Sequence, residues 1–364
     1  MSEVIKKAPE TMTSKQRVRN TFAREKTDRV PIDVSFNEDI YRRTMRALGA
    51  KNNEELLEGL GVDFRAAGAP YTGPLLYPEK PGRNVDPVYG FYTRWVEHGS
   101  GGYHDFCDFP LKDADSETIF NFPVPSADDF DYDSAEAYMR AHADKALYVG
   151  NAGIADIINS IGRVMSMEDT LVNLMTEDEA TLDLVDRKLD MELGQMERLL
   201  ARCGDIVDFV WLGEDLGTQI APMISLDMYR RVLRPRHQRF VDLAKSYGKP
   251  VMMHNCGSSS WVYPDFLEMG ITAVDTLQPE AANMSPAYLK QNFGDRMVFH
   301  GCISTAGPLS FGTPEQVREE VRSTLEIMMP GGGYMLAPTH AIQDNTPTEN
   351  LLAMYQAAHD FGRY

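Results

Sequence analysis

The sequence predicts a single α/β domain of the (β/α)8 TIM-barrel class. Three observations carry this: short apolar runs recur through the last two thirds of the chain, amphipathic segments separate them, and 364 residues suit one large barrel with an insertion. Apolar runs alternating with helices read as parallel strands buried on both faces.

The elements follow in order. Residues 1–28 form a helical lead-in, where Thr13 and Gln16 stand at the spacing of a capping box and open a basic amphipathic helix. "VPIDVSF" (30–36) and "GVDFRAAG" (61–68) supply the earliest strands. The stretch from about 69 to 135 is rich in Pro, Gly and aromatics, breaks the βα rhythm, and reads as an inserted lobe over one mouth of the barrel. Six further strands are expected in "ALYVGNAG" (146–153), "DFVWLGEDLG" (208–217), "PVMMHNCG" (250–257), "TAVDTLQP" (272–279), "RMVFHGCI" (296–303) and "GGYMLAPTH" (332–340). A long helix spans 177–203 and stops at Gly204. Thr313-Pro314-Glu315-Gln316 opens another, and Thr346-Pro347-Thr348-Glu349 repeats that signal before the last.

Composition narrows the function. A formal charge of −18 repels phosphate backbones, so nucleic acid is not an expected partner. No apolar run reaches the roughly 20 residues of a membrane span, and "MSEVIKKAPETMTSK" lacks the apolar core of a signal peptide, so the expected location is the cytoplasm. The four cysteines, Cys107, Cys203, Cys256 and Cys302, are then better suited to metal binding or catalysis than to disulfides.

In a parallel barrel the chemistry gathers where the strands end. Those ends carry Glu214 and Asp215, His254 and Cys256, Asp275 and Gln278, His300 and Cys302, and His340. His254 and Cys256, two apart in an extended segment, point to one side and offer nitrogen and sulfur to one ion, as zinc prefers. A hydrogen-bonded interior histidine beside an inert thiol is the alternative. His340, from the last strand, is the expected third ligand, with Cys302 as its rival. Glu214 and Asp215 are expected as the catalytic acids: one of them is a candidate metal ligand and the other a proton acceptor or a group that orients a ligand; a helix cap is the plainer role for Asp215.

The segments "MTSKQRVRNTFAREKTDRVPIDV", "GEDLGTQIAPMISLDMYRRVLRPRHQRF", "HNCGSSSWVYPDFLEMGITAVDTLQP", "FGDRMVFHGCISTAGPLSFGTPEQVREEV" and "PGGGYMLAPTHAIQDNTPTENLLAMY" resemble the uroporphyrinogen decarboxylase superfamily. The resemblance implies a (β/α)8 barrel. It is similar in motif to the branch of zinc methyltransferases that work with corrinoid proteins, including coenzyme M methyltransferases and O-demethylation components, whose zinc is held by H-x-C and a distal Cys. His254 and Cys256 match the first two, and His340 stands at the place of the third. The decarboxylase branch carries an Arg-Gln-Ala-Gly-Arg run where this chain has "IDVSFNEDIYRRTM".

What the resemblance implies is a zinc-dependent methyltransferase moving methyl between a small methylated substrate or thiol and a corrinoid (cobalamin) carried by a partner protein, with Gln278 and His300 contacting substrate. Two alternatives remain: a metal-free decarboxylase using Arg65, Arg94 or Arg296 to hold a carboxylated substrate, and a catalytically silent ligand-binding barrel. "WVEHGSGGYHDF" in the lobe is a candidate lid or homodimer surface.

Overall fold

Continuous apolar runs buried on both faces set the parallel strands, and the twist between neighbours curls the sheet they build. The computed structural model describes residues 4–99 and 101–364, so Met1 to Glu3 of the lead-in and Ser100 of the lobe lie outside the described residues. Strand β1 (Phe64–Ala67) precedes the lobe strands β2 (Asn84–Val85), β3 (Tyr92–His98) and β4 (Gly101–Cys107). After them come β5 (Ala146–Gly150), β6 (Phe209–Gly213), β7 (Val251–Asn255), β8 (Ala273–Thr276), β9 (Val298–Ile303) and β10 (Tyr334–Pro338). The parallel sheet has seven strands in the order β1-β5-β6-β7-β8-β9-β10, and the lobe has an antiparallel sheet β2-β3-β4.

The closed eight-stranded barrel expected from the sequence is seen here as this seven-stranded curled sheet. Residues 30–36 run extended between β10 and β1 but make only isolated bridges, Ile32 to Leu336 and Phe36 to Ile342. The reason is local. Pro31 has no N–H to give, and the Ile32 N–H goes to the Asp63 carboxylate at 2.9 Å instead of to a neighbouring carbonyl. Asp63 N still donates to the Ile32 carbonyl at 2.9 Å, so the segment is fastened on both sides without a ladder.

The sheet's interior is filled in layers. Phe64, Ala146, Phe209, Met252, Ala273, Val298 and Met335 form an apolar floor, closed from below by Val18 of the N-terminal helix Ser14–Phe22. Thr13 and Gln16 cap that helix reciprocally, as their spacing predicts. Its Arg17 is buried and reaches Asp63 Oδ1 at 2.5 Å, while Arg29 reaches Asp63 Oδ2 at 2.7 Å. Two guanidiniums on one buried carboxylate thus lock helix, residues 29–36 and β1 together.

The second face of the sheet is covered by helices, the longest being Glu179–Cys203. Helix Pro314–Met328 starts in the expected capping box. The final helix, Thr348–Phe361, differs: its cap residue is Pro347, and Thr346 turns inward to Ser310 (Oγ1 to Oγ, 2.9 Å). Among the described residues no helix is long and apolar enough to cross a membrane.

Candidate metal centre

One layer above the apolar floor, the inward positions of successive strands are Tyr148 on β5, Trp211 on β6, His254 on β7, Asp275 on β8, His300 on β9 and Ala337 on β10. Each stands two positions along the strand from its floor partner, so the same pleat that buries Met252 aims His254 inward at the C-terminal end. These side chains line a cavity of about 420 Å³.

Asp275 organises it. Its Oδ2 stands 2.6 Å from His254 Nδ1 and its Oδ1 stands 2.5 Å from His300 Nδ1, so one carboxylate orients two imidazoles. Thr276 Oγ1 is also 2.8 Å from His254 Nδ1. His300 Nε2 in turn lies 3.2 Å from Asp33 Oδ2, off the line of a hydrogen bond. Burial opposes charge on Asp275, yet the two imidazoles hold its carboxyl well below the usual range. Burial likewise opposes the His300 imidazolium, but Asp275 and Asp33 raise it to about 9.

With Nδ1 taken by Asp275, the free nitrogen of His254 is Nε2, and it faces Cys256 Sγ at 3.3 Å and Asp215 Oδ1 at 3.6 Å. Asp215, His254 and Cys256 each offer one ligand atom, all within 4.8 Å of one another. Donors bound at roughly 2.0–2.3 Å around a tetrahedral ion stand about 3.3–3.8 Å apart, so the two measured separations are those of tetrahedral edges. The set also has the outer partner such sites require, since His254 gives its other nitrogen to the Asp275 carboxylate. Oxygen, nitrogen and sulfur donors of this kind fit zinc, and three of them leave one position for substrate.

Asp215 is itself held in place. Its Oδ1 accepts from Cys256 N at 2.9 Å and its Oδ2 from Asn159 Nδ2 at 3.0 Å. Burial disfavours the carboxylate, but the neighbouring His254 and these donors keep it ionised below the usual range. The Cys256 thiol is pushed up by burial, although His254 pulls the other way.

The other expected residues fall elsewhere. Glu214 is buried under the site and not in the cavity: its carboxylate accepts from Ile157 N (2.9 Å) and Ile158 N (3.1 Å) and sits 3.2 Å from His237 Nε2. It supplies the cap that helix Ile158–Met165 lacks locally, so the pair divides its work, with Asp215 facing the cavity and Glu214 facing the helix. Burial pushes Glu214 up to about 8. Gln278 does not reach the cavity either; its Oε1 accepts from Gly257 N at 2.7 Å and steadies the loop behind Cys256.

His340 lines the cavity but is exposed and stands outside the three-donor group, its Nδ1 3.2 Å from the Ala341 carbonyl. Cys302 is buried among apolar side chains. Neither belongs to the three-donor group, whose third member is Asp215 from the end of β6; His340 stands at the exposed edge of the cavity and Cys302 in the apolar core. Asp33, Asn159 and Arg163 line the cavity without having been singled out in the sequence. The signal for Asp33 was a lone carboxylate inside the apolar run at 30–36; Asn159 and Arg163, on a helix, gave none.

The uroporphyrinogen decarboxylase (URO-D) family model matches residues 165–361. The chain belongs to the URO-D family. Within it, the chain is 30% identical over 137 residues to a methylated-thiol–coenzyme M methyltransferase of Methanosarcina mazei, covering 37% of this chain and 34% of that protein. It is 29% identical over 139 residues to the methylcobamide:CoM methyltransferase MtaA of Methanosarcina barkeri, covering 38% of each. The matched segments thus span little more than a third of these relatives. A solved methyltransferase from Methanosarcina mazei superposes with a TM-score of 0.66 at 18% identity, covering 96% of this chain and 99% of that one, which shows a shared fold.

Proposed function

We propose that this URO-D family chain is a zinc-dependent methyltransferase working with a corrinoid protein, with Asp215, His254 and Cys256 as the metal ligands. The observation that carries the reading is the three-donor group, with His254 Nε2 3.3 Å from Cys256 Sγ and 3.6 Å from Asp215 Oδ1 and with Asp275 behind His254. The names of the curated relatives, methyltransferases of methylcobamide and coenzyme M, support the reaction class. Zinc bound here supplies Lewis acidity to a substrate thiol or ether heteroatom.

The chain's own residues do the rest. Asp275 holds the His254 ring so that Nε2 points inward, and Asn159 with the Cys256 amide fixes Asp215. Tyr148 and Trp211 add an aromatic wall to the cavity. His300, charged beside Asp275 and Asp33, is placed to give a proton to, or hold one near, the substrate heteroatom. The whole chain acts as one catalytic domain, with the lobe at about 69–135 beside the mouth where a corrinoid protein docks.

Metal-free decarboxylation of a polycarboxylated substrate has less support. Arg65 is buried against Glu54, and Arg94 and Arg296 are exposed and outside the cavity.

Elemental analysis of purified protein after dialysis tests the ligand set. About one zinc per chain is expected in the wild type, lost in Asp215→Ala and Cys256→Ala and kept in His340→Ala. Zinc lost in His340→Ala but kept in Asp215→Ala would return the third place to His340. A folded wild type that takes no zinc would overturn the reading.

A further inference from the structure

On a regular strand the neighbours Asp275 and Thr276 point to opposite faces of the sheet. Asp275 faces inward, two positions beyond Ala273 of the floor, so the pleat would turn Thr276 out towards the helices. It does not. Thr276 Oγ1 stands 2.8 Å from His254 Nδ1 and 3.3 Å from Asp275 Oδ2, and the residue lines the cavity beside Asp275. Two consecutive side chains of β8 thus meet one imidazole.

The backbone breaks the pleat at this point. Thr276 has φ of +82° and Leu277 has φ of +57°, both in the left-handed region where glycine is the usual occupant. For a β-branched residue such as threonine that conformation is a true outlier. The next strand makes room for it: a Cβ built on Gly301 would stand 2.2 Å from the Thr276 carbonyl oxygen and 3.2 Å from its Cα. Strain of this kind persists only where the surrounding structure imposes it, and it gathers at functional sites. Its effect here is to carry a hydroxyl from the outer face of the sheet to the inner one.

The protons follow from the donors and acceptors. An ionised Asp275 only accepts, so the Thr276 hydroxyl gives its proton to Asp275 Oδ2 and turns a lone pair to His254 Nδ1. Nδ1 then faces two acceptors, Asp275 Oδ2 at 2.6 Å and Thr276 Oγ1 at 2.8 Å, and carries the proton of the ring. One contact lets an imidazole swing about it. A second, from the next residue, fixes its plane.

Resting on the zinc methyltransferase reading, we propose that Thr276 is a positioning residue of the metal centre. The left-handed turn at the end of β8 sets its hydroxyl on His254 Nδ1, where, with Asp275, it fixes the ring and leaves the Nε2 lone pair facing Cys256 and Asp215. Thr276 acts through His254 and not on the substrate.

The test compares Thr276→Val with Thr276→Ser. Valine keeps the shape and the branched-chain strain and removes the hydroxyl, whereas serine keeps the hydroxyl. Thr276→Ala, which lacks the hydroxyl and eases the strain, stands in should valine not fold. Two quantities are read on each folded protein: zinc affinity by chelator competition, and, on metal-free protein carrying isotope-labelled histidine, the rate at which the His254 Nδ1–H exchanges with water. Thr276→Val and Thr276→Ala should bind zinc about tenfold more weakly, the lower end of the loss that follows removal of a group behind a ligating histidine, and should exchange this proton about tenfold faster. Thr276→Ser should stay near the wild type in both. A purely structural threonine would lower the melting temperature and move neither quantity. Unchanged exchange in the valine and alanine variants, or a serine variant as impaired as they are, overturns the proposal and leaves the zinc reading standing if the wild type binds zinc. A wild type that takes no zinc, with exchange still faster in Thr276→Val, sinks the zinc reading and leaves Thr276 holding His254.

Discussion

Asp275 shows how one residue can fix the chemistry of a site it does not itself complete. By taking His254 Nδ1 and His300 Nδ1 on its two oxygens, it decides which nitrogen of each ring faces the cavity. Replacing it by asparagine keeps the shape but removes the charge and turns one oxygen into a donor. Zinc affinity of Asp275→Asn, measured by competition with a chromophoric chelator, should fall about 10–100-fold, the usual cost of losing a carboxylate behind a ligating histidine. Unchanged affinity would mean that His254 is not a ligand. The sequence showed His254 and Cys256 as a pair, because i, i+2 spacing in a strand is a local property. It did not show that Asp215 is the nearest third donor, since that depends on the register of β6 against β7, where Gly213 stands opposite His254.

At the scale of the element, the N-terminal helix and the segment at 30–36 are pinned to the sheet by charge. Asp63 is fully buried between Arg17 and Arg29; burial disfavours its ionisation, but the two guanidiniums keep the carboxyl below its usual range. Asp63→Asn leaves two buried cations with only Asp28 and Glu10 to face. Such a broken buried pair costs about 3–5 kcal/mol, and urea unfolding should show a loss of that size. A loss under about 1 kcal/mol would mean that the network behaves as an exposed one. Close approach matters at the other end of the strands. Gly301 has φ of +118°, and a Cβ built on it would stand 2.2 Å from the Thr276 carbonyl, so β8 and β9 meet here only because residue 301 has no side chain. Capping boxes at Thr13 and Thr313 were legible from four residues each; the bridging role of 30–36 was not, because the Asp63 side chain that interrupts its ladder arrives from 31 residues away.

Across the whole molecule, lobe, long helix and site are joined through buried polar groups. Glu192, on helix Glu179–Cys203, accepts from Ala155 N at 2.8 Å beneath the loop that leads to Asp156 and Asn159, and it interacts with Tyr89 of the lobe. Burial pushes its carboxyl up to about 7 from 4.5, against the pull of those donors. The folded chain therefore holds a proton that the unfolded chain releases between those values. This contribution is fully present below about pH 4.5 and is lost as pH rises through about 7. Glu192→Gln, neutral throughout, should flatten the profile of stability against pH in that window, as read from denaturant midpoints at pH 5, 6, 7 and 8. A mutant profile as steep as the wild type's would place the titration elsewhere.

The alternation of apolar runs with helices, the cap of the first helix, and the pairing of His254 with Cys256 were fixed by the sequence itself. Each depends on residues within a few positions of one another, where backbone geometry and side-chain periodicity act directly. The partition of Glu214 from Asp215, the exclusion of Cys302 and the placing of Arg163 on two lobe aromatics were decided only in three dimensions. In each, the deciding partner is remote in the chain: Ile157 and Ile158 for Glu214, the apolar core around Cys302, and Phe91 with Phe106 for Arg163. Packing of distant elements sets which face of a side chain meets solvent, apolar core or another charge, and no local pattern carries that information.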